Sequence, residues 1–189
     1  MTLSDLLLPT YTQMLGTMST WLDKAEAQAG MGRDGEAEAL LSARLAPDMF
    51  PLATQLRFAC RQAQEAVFRL QGRAFPPAIQ VLLDEARNGG ERPGTIADAR
   101  ARINETLAVV EQAAADGLPL DGDAAIAHVL PNGMVLNVTA TVYARDWALP
   151  QFYFHVVTAY AILRAQGVEL GKADYCAHML PYFGMPAEA

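Results

Sequence analysis

His155 is the residue of this sequence whose type and setting could do most chemistry. An imidazole can bind a metal, accept a proton as a general base, or sit buried while donating one hydrogen bond and accepting another. Its neighbours decide among these uses. In the run PQFYFHVVTAYAILRAQGVELGK, Pro150 to Lys172, the residues Gln151, His155, Thr158, Ile162 and Ala165 recur every three or four positions. On a helix they share one stripe. Gln151 one turn away, Thr158 and Tyr160 are the candidate hydrogen-bond partners of a neutral, buried His155. This structural role is the favoured one, because an intact metal or acid–base site needs further partners that the stripe does not supply.

The remaining candidates are weaker. His128 falls on a predicted strand with the parity of Ile126 and Leu130, which suits a packed or rim histidine. Cys176-Ala177-His178 has no second pair at ligand spacing. Asp84 and Glu85 are adjacent on a predicted helix and so point apart. Arg164, Lys172 and Asp174 surround a Gly-Val-Glu-Leu-Gly turn and read as local ion pairs pinning it. No nucleophile elbow, phosphate-binding loop or dinucleotide fingerprint occurs, and Gly30-Met31-Gly32 does not follow a strand.

Four long helices must position these groups. Ser4 can cap the first, whose apolar spacing runs from Leu3 to about Ala29. Pro9 lies inside it and either kinks the helix or moves its start to near Leu8. Gly30, Gly32 and Gly35 break the chain, and Glu36 to Arg44 forms a short crossing piece. Asp48 is the expected N-cap of the second helix, whose stripe of Met49, Leu52, Leu56, Cys60, Ala63, Val67 and Leu70 ends at Gly72. Ala78 to Glu91 is ambiguous, with a brief helix around Leu82. Thr95 and Asp98 resemble a capping box opening a third helix that stops at Gly117. From Met134 to Tyr143 the period changes to two, with many β-branched residues, so a strand is expected. Pro131-Asn132-Gly133 turns it back on Ile126 to Leu130 as a hairpin. Leu149 is pushed toward an extended conformation by Pro150, which opens the fourth helix. Both apolar faces of that helix are expected to be enclosed. Gly167 stops it, and Asp174 to Met179 forms a last short helix ended by Pro181.

A chain of 189 residues with 52% hydrophobic and 19% charged residues can form one packed core, so residues 1–189 read as one domain. The net charge of −7 argues against nucleic-acid binding through phosphates. No apolar run is long enough to span a membrane, and the first residues do not read as a signal peptide. Cys60 and Cys176 are far apart and unpatterned, which fits a reducing cytoplasm.

Three long helices, a β insertion and a fourth helix make a specific combination. Together with Pro47-Asp48-Met49-Phe50, Leu149-Pro150, Phe154-His155, Thr158-Ala159-Tyr160, Gly167-Val168, Gly171-Lys172 and Asp174-Tyr175, it resembles the DinB/YfiT-like superfamily. More narrowly, it resembles a bacterial branch known as a domain of unknown function. The resemblance implies a mainly α fold, a four-helix bundle with a small β-hairpin between helices 3 and 4. In active members of the superfamily, one histidine of helix 2 and two of helix 4, four residues apart, hold a divalent metal such as zinc or nickel. The metal lowers a thiol's pKa for transfer or ring opening. Here His155 matches the second helix-4 position and Gln151, a weak ligand, the first. Helix 2 has no histidine, and Gln55 and Gln62 are its nearest polar candidates.

These residues and what the resemblance implies, the homodimer and the thiol chemistry included, lead to two main expectations. One is a bundle without the three-histidine centre and without a cofactor, binding a small apolar molecule near His155, Gln151, Thr158 and Gln55, or serving as a homodimer. The other is a metal-dependent thiol transferase or hydrolase with an altered ligand set around His155 and Gln151. A third, metal-free use of His155 as a general base requires a pocket open beside the imidazole.

Overall fold

The computed structural model describes residues 1–30, 36–130 and 132–184. Gly32, Gly35 and Pro131, to which breaks and a turn were assigned above, lie outside the described residues. In chain order the elements are α1 (Leu3–Gly30), α2 (Glu36–Ala39) with a 3₁₀ turn (Leu40–Ser42), α3 (Leu52–Leu70), α4 (Pro77–Asn88) and α5 (Ile96–Asp116). There follow β1 (Ala125–Val129), β2 (Val135–Thr139), α6 (Ala140–Val142), a π-helical stretch (Tyr143–Ala148), α7 (Leu149–Ala165), α8 (Lys172–Tyr175) and a 3₁₀ turn (Ala177–Tyr182).

The four long helices α1, α3, α5 and α7 form the bundle. α3 packs against α7, α4 and α5, while α1 packs against α5 and α7. The core between them is built from Leu7, Tyr11, Met14, Trp21, Leu56, Ala63, Ile103, Val110, Phe152 and Ile162, all nearly or wholly removed from water. α3 is enclosed nearly all round, so even its polar residues Thr54, Gln55, Arg57, Gln64 and Glu65 are buried. Each then needs an internal partner. Thr54 Oγ1 donates to the Ala86 carbonyl at 2.8 Å, and Gln64 Nε2 donates to Thr106 Oγ1 at 2.9 Å. Among the described residues no helix is long and apolar enough to cross a membrane.

Several boundaries depart from the sequence reading. α1 begins at Leu3 and runs through Pro9. Its start is closed by a reciprocal pair in which Asp5 N–H donates to Thr2 Oγ1 (3.1 Å) and Thr2 N–H to Asp5 Oδ2 (2.8 Å). Ser4 instead accepts from Leu118 N–H at 3.0 Å, tying the loop after α5 to α1. Asp48 does not cap α3; the cap position is Pro51, extended at φ −73° and ψ 170°. Phe50 precedes a proline and is disfavoured in helix, which favours a start after Pro51. The capping box of Thr95 and Asp98 forms as expected.

The hairpin pairs Ile126 with Val138 and His128 with Leu136, placing all four on one face. Gly133 takes φ 83° in its turn, a conformation open mainly to glycine. β2 ends at Thr139, short of the expected Tyr143. Thr139 Oγ1 accepts from Val142 N–H at 3.3 Å and starts a helix there. Ala140, Tyr143, Ala144 and Ala148 are then buried at helical spacing. Over so few residues a period of two and a period near 3.6 share most positions, and packing on the bundle selected the helix. Leu149 is accordingly helical (φ −64°, ψ −49°) rather than extended. Its N–H donates to the Ala144 carbonyl five residues back, a wide turn just ahead of Pro150, whose ring would crowd a regular helix. Only one side of α7 is enclosed: Phe154 is 57% exposed and Val157 47%. α7 lies at the bundle's edge, with α3 and α1 as its helical neighbours. Pro181 lies within the last 3₁₀ turn rather than ending a helix.

Candidate functional site

α3 and α7 bring Gln55 and His155 together, one hundred positions apart in sequence, with Oε1 to Nδ1 at 2.8 Å. The direction of this bond follows from the amide's other end. Gln55 Nε2 donates to the Phe50 carbonyl at 3.2 Å, which leaves the amide oxygen facing the ring. Nδ1 therefore carries the proton and donates, and Nε2 keeps a free lone pair. Phe58 stacks on the imidazole at 5.0 Å and Phe154 meets it edge-on at 5.3 Å. His155 is only 8% exposed. Burial, aided by the nearby Arg61 charge, lowers its pKa to about 4, so it is neutral at physiological pH. Thr158 takes no part in this pair; its hydroxyl donates to the Phe154 carbonyl at 2.6 Å. Tyr160 packs against Trp21 and Tyr175.

His155 lines a cleft of about 430 Å³ between α3, α4, β1, the π-helical stretch and α7. Gln151 and Gln62 also line it, and so does His128, which the hairpin folds over α3. The apolar wall comes from Phe58, Leu83, Val129, Leu130 and Trp147, the charged wall from Arg61, Glu65 and Arg87. Glu65 is the centre of a buried charge ladder on α3. Its Oε2 lies 2.8 Å from Arg61 Nη2 and its Oε1 lies 3.4 Å from Arg69 Nη2, one turn to either side. His128 Nδ1 stands 3.6 Å from Oε1, too far to hydrogen-bond. Burial lowers the His128 pKa, and the Glu65 carboxylate opposes that only in part. Arg61 Nε, Glu65 Oε2 and His128 Nδ1 are buried without a hydrogen-bond partner among the described residues. The Arg61–Glu65 approach is thus a charge contact without hydrogen-bond alignment. Sequence reasoning missed this ladder, although Arg61, Glu65 and Arg69 at spacings of four on an otherwise apolar helix were its visible signal.

The residues present do not fit a three-histidine metal centre. Among the described residues no group of three or more His, Cys, Asp or Glu is placed to hold a metal ion. The group that α3 presents to His155 is an amide already hydrogen-bonded at both ends. Cys60 is buried and its thiol is pushed up to about 12, which leaves it no thiolate character.

A larger cleft, about 610 Å³, lies around Arg57, Glu85 and Arg102. Its central charges pair with one another. Arg102 donates to Glu85 at 2.6 Å and 3.0 Å, and Arg57 at 3.3 Å, holding the Glu85 carboxyl below the usual range. Asp84 also lines this cleft, but its carboxylate accepts from Gln80 Nε2 at 2.9 Å and takes no part in the Glu85 pair. At the far end of α7, Asp174 pairs with Lys24 of α1 at 2.6 Å, and Arg164 donates to the Leu170 carbonyl. That turn is pinned partly by α1, and Lys172 makes no ion pair there among the described residues.

No curated protein matches the chain. Among solved structures, a DinB family member protein from Shewanella denitrificans is 33% identical, with a TM-score of 0.70 over 99% of this chain and 95% of that one. Residues 3–176 match the family described as a domain of unknown function, DUF1993. The bundle, its inserted hairpin and both likenesses agree, and the chain belongs to that DinB-like family of unknown function.

Proposed function

We propose that this protein is a small-molecule-binding bundle and not a metal-dependent transferase or hydrolase. The observation that carries the reading is the Gln55–His155 pair at 2.8 Å beside an accessible cleft, where amides stand in place of co-ligands. A general-base role for His155 is disfavoured by the same burial: a group with a pKa of about 4 is a poor proton acceptor at neutral pH. The apolar walls of the cleft suit the hydrophobic body of a ligand. The test is elemental analysis of protein purified without chelator or nickel resin, with thermal unfolding in added zinc, nickel or manganese. We expect no stoichiometric metal and no stabilisation. A stoichiometric metal that is lost in His155→Ala would overturn the reading in favour of the altered-ligand enzyme.

A homodimer is supported by a separate observation. Phe50, Phe154 and Val157 are 51%, 57% and 47% exposed, and Phe50 and Phe154 flank the Phe58–His155 stack. Light scattering at micromolar protein should give twice the chain mass; a monomer would refute this. The free thiols of Cys60 and Cys176 support a cytoplasmic location.

A further inference from the structure

We propose that the cleft beside His155 takes a small carboxylate with an apolar body, its anionic head held by the guanidinium group of Arg87, with the Arg61 charge behind it. This rests on the binding reading above and names the ligand class. Three observations lead to it. First, Glu65, the only carboxylate among the described residues that line the cleft, is already flanked by Arg61 and Arg69 at 2.8 Å and 3.4 Å. A cationic ligand would find no free counter-charge there. Second, Arg61 and Arg87 against one Glu65 leave the cleft net positive while the chain as a whole carries −7. Arg87 is exposed on α4 and makes no ion pair among the described residues, whereas Arg61 is held 2.8 Å from Glu65 with its Nε buried. A guanidinium edge presents paired N–H groups that match the two oxygens of a carboxylate. Third, the opposite wall is apolar, with the Trp147 indole and the Phe58 ring, so the ligand's body need not be polar. The uncharged His155 and His128 add no positive charge, which leaves the anion's position to Arg87.

Trp147 reports on the site, because the other tryptophan, Trp21, is fully buried in the core. The full chain is titrated with benzoate, 3-phenylpropionate, indole-3-acetate and hexanoate by calorimetry, and with the non-indole probes by tryptophan fluorescence. Each acid is paired with its neutral primary amide. We expect at least one acid to bind, its amide to bind about tenfold or more weaker, and Arg87→Gln to remove that difference by weakening the acid alone. Arg87 is exposed on α4, so this variant should fold, and Arg87→Lys should restore part of the affinity. Acid and amide binding equally, or Arg87→Gln leaving the acid's affinity unchanged, would overturn the carboxylate assignment while leaving the binding reading intact. Failure of every acid and every amide to bind at millimolar concentration would overturn both.

Discussion

Acidification should destabilise this protein through His155 in a way that can be isolated. The imidazole is 8% exposed, donates from Nδ1 to Gln55, and has its pKa lowered from 6.5 to about 4 by burial. In the unfolded chain it titrates near its ordinary value of about 6.5. Below that pH the unfolded state binds a proton that the folded state refuses, so stability is full above about pH 6.5 and falls as pH drops toward the folded value. Linkage over this window gives a loss of about 2 kcal/mol between pH 7 and pH 5, reaching about 3 kcal/mol at pH 4. Carboxylates and His128 also titrate in acid, so the wild-type curve alone does not isolate His155. The comparison is with His155→Asn, whose amide nitrogen can take the place of Nδ1 toward Gln55 but does not titrate. Urea unfolding of both proteins at several pH values would give the two stability profiles. His155→Asn should be less stable at neutral pH, since it loses the ring's stacking on Phe58. The gap between the two proteins should then narrow by about 2 kcal/mol by pH 5. Profiles that stay parallel would refute the buried, neutral imidazole.

Two further perturbations test the interior. Tyr11 is fully buried and its hydroxyl has no hydrogen-bond partner among the described residues, so Tyr11→Phe should be neutral or stabilising by about 1 kcal/mol in urea unfolding. A loss of 2 kcal/mol or so would mean that the hydroxyl has a partner. Glu65→Gln keeps the side-chain shape but leaves Arg61 and Arg69 without their shared carboxylate in a buried setting, and should cost about 3 kcal/mol or more. A small effect there would show that water already reaches the ladder.

The relation between sequence and structure divides by range. Helical spacing, the Thr95–Asp98 box, the hairpin and the His155 stripe of α7 were legible because each depends on residues within a turn or two of one another. The starts of α3 and of the short helix that follows β2 were not. An N-cap competes with neighbouring residues for the same backbone donors, and at Pro51 and Thr139 the outcome turned on a proline's sterics and on packing from outside the segment. Enclosure of α7 was overestimated for a similar reason. An apolar face says that burial would be favourable, while Phe154 and Val157 face outward because α7 lies at the edge of the bundle.

By itself, the sequence determined that this chain would be a mainly helical bundle with His155 on the inner face of its last long helix, since hydrophobic period is local and countable. Only the tertiary structure decided that Gln55, and not Gln62, meets His155, and that His128, Arg61, Glu65 and Arg87 share its cleft. Those groups come from different elements. Their meeting depends on how α3 rotates about its axis against α7 and on how the hairpin lies across both, quantities set by the summed packing of the whole core rather than by any one segment.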